Sequence, residues 1–310
     1  MRFGLLSAIL VPAALAMSGC DIEEWGSSDR HREDFQYSYN LQPGGRVEVD
    51  NTNGSVEITG WDQNKVEITG TKYAATEEML KSLKIEVQAD SGSVRIRTVH
   101  PGGLHGNYGA RYVIHVPVKT ELERVGTTNG SVRFDNIEGR GRITTTNGAI
   151  RGGRYRGDLE ARTTNGSVDI SDVTGPVSAH TSNGPIRMDS IRGDVDASTS
   201  NGRIEARIAA ADSSRPMRFQ TSNGSINVTV ESLKNSDVRA STSNGSITLR
   251  LPSSTGARVQ ARTTNSAVST DFEITMKGTI SKSRLEGTIG GGGPMLDLSS
   301  TNGSIKIEKM

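Results

Sequence analysis

The side chains able to do chemistry are few in this chain of 310 residues, and their spacing matters more than their number. The five histidines, His31, His100, His105, His115 and His180, share no metal-ligand spacing. His100 and His105 flank Pro101-Gly102-Gly103-Leu104, which reads as a surface loop. No Gly-x-Ser-x-Gly nucleophile elbow occurs. The run Gly290 to Gly293 lacks the Lys-Ser/Thr of a phosphate loop, and the Gly-Gly-x-Gly-x-Asp calcium repeat is missing. The reading is therefore of no enzyme, no metal and no cofactor. Two groups of polar residues remain. Arg140, Arg142, Arg151, Arg154 and Arg156 are dense enough to meet an anionic glycan or a lipid headgroup, or to form a solvated basic face. The hydroxyl series Thr128, Thr146, Thr164, Ser182, Ser200, Ser222 and Ser243 can bind sugars or simply keep a sheet soluble. With 36 basic and 35 acidic residues the net charge is +1, which points away from nucleic acid.

One thiol remains, and its position decides its use. Cys20 is the only cysteine, so it forms no disulfide within the chain and no cysteine metal site. Arg2 precedes an apolar run from Phe3 to Met17, and Ser18-Gly19 lead into Cys20. A charged start, a hydrophobic stretch too short to span a bilayer comfortably and small residues at a cleavage point describe a secretory signal. Met17-Ser18-Gly19-Cys20 resembles a bacterial lipobox, with Met17 where Leu is usual. The expectation is a lipoprotein signal peptide over 1–19, acylation of Cys20 and a membrane anchor. Residues 20–39 are polar and read as a flexible tether, leaving 40–310 as the folded domain.

The elements that would position these residues follow from an internal repeat. Asn-Gly occurs nine times, always after Thr or Ser, and from Gly130 to Gly202 the glycines recur every 18 residues. The spacing then relaxes to 22 and 21, with Asn265-Ser266 as a degenerate copy 21 residues further on. Ser91-Gly92-Ser93-Val94 reads as one more copy. Gly139, Gly157, Gly175 and Gly193 bisect the units, so each is strand, turn, strand, turn. Within the strands apolar residues alternate with polar ones: Val132, Ile150, Val168, Ile186 and Ile204 stand three positions after the asparagines, and Val125, Ile143, Ala161, Ala179 and Ala197 four before.

A turn every nine residues suits either an antiparallel meander or a coil with two strands per turn. Only the coil stacks like positions directly, about 4.8 Å apart, and so rewards identity at the full period. The predicted fold is all-β, a parallel β-solenoid of 18–21 residues per coil with one short capping helix. That helix is read over Thr76–Leu83 with Thr76 as its cap, covering the first end of the stack. Stacked Asn129, Asn147, Asn165, Asn183, Asn201, Asn223 and Asn244 would form an amide ladder, with Thr127, Thr145, Thr163, Thr181 and Thr199 beside them. Asn and Gly tolerate positive φ, which would suit them to the sharp corner. The outward series Arg133, Arg151, Asp169, Arg187 and Glu205 alternates in sign from Arg151 onward, worth about 0.2–1 kcal/mol per pair as sheet support. Residues 287–294 read as a loop.

The repeated Thr/Ser-Asn-Gly-Ser-Val/Ile units, and above all Val47-Glu48-Val49-Asp50-Asn51-Thr52-Asn53-Gly54-Ser55-Val56-Glu57-Ile58-Thr59-Gly60-Trp61, resemble the "putative adhesin" family of bacterial β-strand-repeat proteins over residues 40–308. The resemblance implies an envelope location and a binding role, and it carries over no catalytic residue. The expected function is a non-enzymatic envelope lipoprotein that binds or scaffolds through weak contacts repeated along the coil, its partner a cell-surface glycan or an envelope protein. The competing readings are a polysaccharide lyase or hydrolase on a β-helix, and a partner in envelope-stress regulation.

Overall fold

The computed structural model describes residues 31–100, 106–211, 215–276 and 281–310. Cys20, the leader and the loop 101–105 lie outside the described residues. Alternation of apolar and polar side chains makes strands, and the strands lie in two sheets, one of 13 and one of 14. The stack is parallel. Ile150–Arg156 pairs in parallel with Val132–Glu138 on one side and Val168–Thr174 on the other, with Ile150 beside Val132 and Val168. In the second sheet Ile143 lies beside Val125 and Ala161. Eleven coils, each with one strand in either sheet, stack this way. At roughly 4.8 Å per coil the body is about 50 Å long. The chain is a β-solenoid. Its core is a single file of Val, Ile, Leu and Ala from both sheets, with the inward residues almost wholly buried.

The coils are not stacked in chain order at either end. The first coil, Gly45–Asp50 with Val56–Trp61, sits between a later coil, Ser93–Val99 with Tyr108–Pro117, and the next, Thr120–Asn129 with Val132–Glu138. At the far end the last strands, Met295–Ser300 and Ile305–Lys309, enter between Val238–Thr242 with Ile247–Leu251 and Ala257–Thr263 with Val268–Thr270.

Four expectations are corrected. The segment expected as tether up to residue 39 is strand from 31: His31–Asn40 pairs antiparallel with Lys65–Ala74, and Phe35, Tyr37 and Tyr39 pack their inner faces on the core. Val94 lies beside Val47 in the 14-stranded sheet, so Ser91-Gly92 is no copy of the Asn-Gly corner. It is a hairpin turn in which Asp90 accepts from the Gly92 and Ser93 amides. The loop expected from 287 begins later, because Arg284–Ile289 is an antiparallel strand on Ala257–Thr263. Finally, Thr76 caps the helix Glu77–Ser82, which packs Met79 and Leu80 against Ala74, but antiparallel strands, not the helix, close the first end. Lys84–Ala89 ends one sheet there and His31–Asn40 the other.

In four successive coils, from Val132–Glu138 to Ile186–Arg192, the second strand is bent. After Val132 and Phe134 the next inward residue is Ile137, and Asn136 between them has φ 58. Arg154, Asp172 and Ser190 repeat that left-handed conformation one coil apart, ahead of Tyr155, Val173 and Ile191. This corner gives the coil a short third side.

Candidate functional site

The Asn-Gly corner is held by two kinds of bond. Asn147 Nδ2 donates to Asn129 Oδ1 at 2.7 Å, and the same bond recurs through Asn165, Asn183, Asn201, Asn223 and Asn244. The chain of amides extends beyond those seven, to Asn53 at one end and through Asn302 to Asn265 at the other. Beneath it Thr145, Thr163, Thr181 and Thr199 are buried, and each hydroxyl donates to the corner glycine carbonyl of the preceding coil at 2.9–3.0 Å. A buried carbonyl that the sheet leaves over is thereby satisfied. From Gly130 onward the corner glycines serve closeness, not positive φ, while Gly54, at φ 118, serves both. Gly148 and its equivalents through Gly245 lie outside the left-handed region, but a Cβ on Gly148 would be 2.0 Å from the Gly130 carbonyl oxygen. Positive φ belongs to the other turn, at Gly139, Gly157, Gly175 and Gly193. The hydroxyl file from Thr128 to Ser243 is exposed except at Ser182, which is half-buried.

The five arginines read together in the sequence do not share a surface. Arg142 is on the 14-stranded sheet, 3.1 Å from Glu160, whose carboxyl is held below its ordinary range by Arg162 first and Arg142 second. Arg151 is on the 13-stranded sheet. Arg154, at the corner, pairs with Asp135, and Arg156 ends the same strand beside a small recess of about 380 Å³. Arg140 is exposed in the turn between the sheets.

The larger concavity runs lengthwise along the outer face of the 13-stranded sheet, a groove of about 980 Å³. Its floor is backbone at Gly152 and at Phe134, Ile170, Met188 and Ala206, whose side chains point into the core. Its walls are the outward residues on either side: Arg133, Arg151, Asp169, Arg187 and Glu205 form one, and Asp135, Gly153, Ser171, Asp189 and Arg207 the other. Along the first wall Asp169 lies 3.9 Å from Arg151 and 3.5 Å from Arg187, which lies 3.2 Å from Glu205.

A family model described as Toastrack DUF4097 matches residues 49–245, well over half the chain. The chain belongs to the Toastrack DUF4097 family. No curated protein matches it. Among solved structures, it is similar to a "putative lipid binding protein" from Parabacteroides distasonis, 15% identical with a TM-score of 0.47, covering 91% of this chain and 98% of that one. It is also similar to a "putative adhesin" from Bacteroides fragilis, 10% identical with a TM-score of 0.40 and coverage of 90% and 97%. A "putative adhesin" from Parabacteroides merdae is 12% identical, with a TM-score of 0.39 and coverage of 90% and 96%.

On the opposite sheet of this Toastrack chain His180 is half-buried between two hydroxyls, Ser178 Oγ at 2.7 Å from Nε2 and Ser198 Oγ at 2.5 Å from Nδ1. Burial lowers its pKa, with Arg162 adding to the effect, which favours the neutral ring. A Ser-His contact is what nucleophile activation needs, but here the second ring nitrogen meets a hydroxyl where a triad places its orienting carboxylate. The cluster lies outside both recesses of this Toastrack fold. Its signal was the same 18-residue period, since residues 162, 180 and 198 stack.

Proposed function

We propose that this protein is an exported, lipid-anchored and non-enzymatic module of the bacterial envelope, which binds or scaffolds along the side of its solenoid. The observation that carries the reading is the lengthwise groove, whose walls repeat equivalent side chains on successive coils. A ligand laid in it meets the same kind of contact several times, and weak contacts add through effective concentration. The leader and Cys20 supply export and the anchor. The partner is a cell-surface glycan or an envelope protein. A glycan-cleaving enzyme fits the groove less well. Glycoside hydrolysis needs a protonated carboxyl facing a second, free one, and of the five carboxylates lining the groove Asp135, Asp169, Asp189 and Glu205 are each ion-paired with arginine, which leaves Glu57 without a free partner.

Shortening the solenoid tests this. Excising residues 167–184, one 18-residue period, brings Gly166 to Pro185 in register. Affinity for immobilised envelope polysaccharide is expected to fall with each such coil removed. Equal affinity from shortened and full chains would defeat the additive mechanism.

A further inference from the structure

We propose that the groove takes an acidic glycan and seats one of its carboxylate or sulfate groups between Arg133 and Arg151. The proposal rests on the binding role above and names its ligand class. Arg133 and Arg151 are register neighbours on adjacent strands. Like charges placed so are unfavourable in a sheet. Arg133 has Glu57 as its other register neighbour but makes no ion pair with it or any other described residue, and Arg151 reaches Asp169 only at 3.9 Å. The nearest carboxylate on the opposite wall, Asp135, is taken by Arg154.

Room for an anion lies directly beside the pair. Gly152 is explained by packing, since a Cβ there would meet the Phe134 ring at 2.0 Å. Gly153 has no such reason. It lies outside the left-handed region, and the nearest atoms a Cβ would meet are Ser171 Oγ at 3.2 Å, Asp135 Oδ1 at 3.5 Å and the Ser171 carbonyl at 3.8 Å, none in overlap. The fold does not require glycine at 153, yet its effect is to leave the wall open opposite Arg133 and Arg151. Ser171 Oγ, facing that gap, has no hydrogen-bond partner among the described residues. Two guanidinium forks and a free hydroxyl around an open floor suit a planar carboxylate or a sulfate.

The rest of the groove selects the molecule that carries the anion. Its lining holds five arginines against five carboxylates, so a polyanion such as nucleic acid is repelled as much as attracted. A flat anionic bilayer cannot follow the concavity. A peptide strand finds no backbone to pair with, since both edges of every floor strand are already bonded within the sheet. A saccharide chain fits: alternating donors and acceptors meet its hydroxyls, and a rung of about 4.8 Å is close to the length of one sugar residue.

Calorimetry on the detergent-solubilised full chain tests the assignment, with a neutral oligosaccharide carrying a single uronate, its neutral methyl ester, the same oligosaccharide carrying a single sulfate, and phosphatidylglycerol vesicles as probes. Either acidic oligomer is expected to bind, and the neutral ester about tenfold or more weaker. R133Q/R151Q and Gly153→Leu should each lose about tenfold or more with no fall in the thermal midpoint, while Arg142→Gln on the other sheet binds as wild type. Equal binding of acid and ester, wild-type affinity in R133Q/R151Q, or binding to vesicles alone would overturn the proposal. So would failure of both acidic oligomers to bind. In each of these cases the additive binding role stands or falls separately, on the coil-excision series.

Discussion

A methyl group on Gly166 would lie 1.9 Å from the Gly148 carbonyl oxygen and 2.5 Å from its carbon, and neither atom can retreat without breaking the parallel stack. Gly166→Ala is therefore expected to cost about 3 kcal/mol or more, the range reached when backbone itself must move. Gly153→Ala meets mainly side-chain atoms and should stay within about 1 kcal/mol of wild type. Thermal unfolding of the two variants separates them, and similar losses would refute the close-approach explanation. At this scale the sequence was half legible. The period of 18 picked out the right residues, including Asn129 through Asn201. It misassigned the role of the corner glycines, because a tight turn and a close approach of two backbones both select glycine, and only the second is visible through its neighbour.

The bent second strand is the element that the alternation could not announce. Inward residues run 132, 134 and then 137, so the period of two breaks once in each of four successive coils. The residue at the break is Asn136, Arg154, Asp172 or Ser190. Only Asn and Asp favour the left-handed region, and no single residue type marks the corner. Ser190 at φ 57 gives a direct check. Ser190→Val should destabilise by about 1–2 kcal/mol, because a β-branched side chain there clashes with its own backbone, whereas Ser190→Gly should be neutral or stabilising. Chemical denaturation reads both, and a tolerated valine would contradict the corner. The first strand was missed for a related reason. Its first four residues, His31-Arg32-Glu33-Asp34, carry no apolar signal, and only pairing with Lys65–Ala74 makes them strand.

Across the whole molecule, the exchange of coil order at both ends has a mechanical consequence. In an ordinary solenoid each coil contacts only its chain neighbours, so loss of the last one exposes one new edge and disturbs no interior pairing. Here the strands Met295–Ser300 and Ile305–Lys309 are interior, with partners on both sides. Ending the chain after Ile289 should open a gap one coil wide and unfold the strands from Ala257 onward, whereas excising residues 167–184 should leave a shorter, cooperatively unfolding body. Circular dichroism and limited proteolysis distinguish these outcomes. Retention of the 257–270 strands in the truncated chain would show that insertion is not what holds them.

What the residues alone determined is everything local or periodic: strands by alternation, a parallel stack by the repeat at 18, and the helix by its cap at Thr76. What only the tertiary structure decided is which coil neighbours which, and which outward side chains share a surface. By spacing Asn265 is the residue expected to follow Asn244, and the choice of Asn302 in its place is made by pairing between strands distant in sequence. Arg142 and Arg151 are close in the chain yet stand on opposite sheets, because a strand turns the chain to another face within one coil, while Arg133 and Arg151, a full coil apart, are brought side by side.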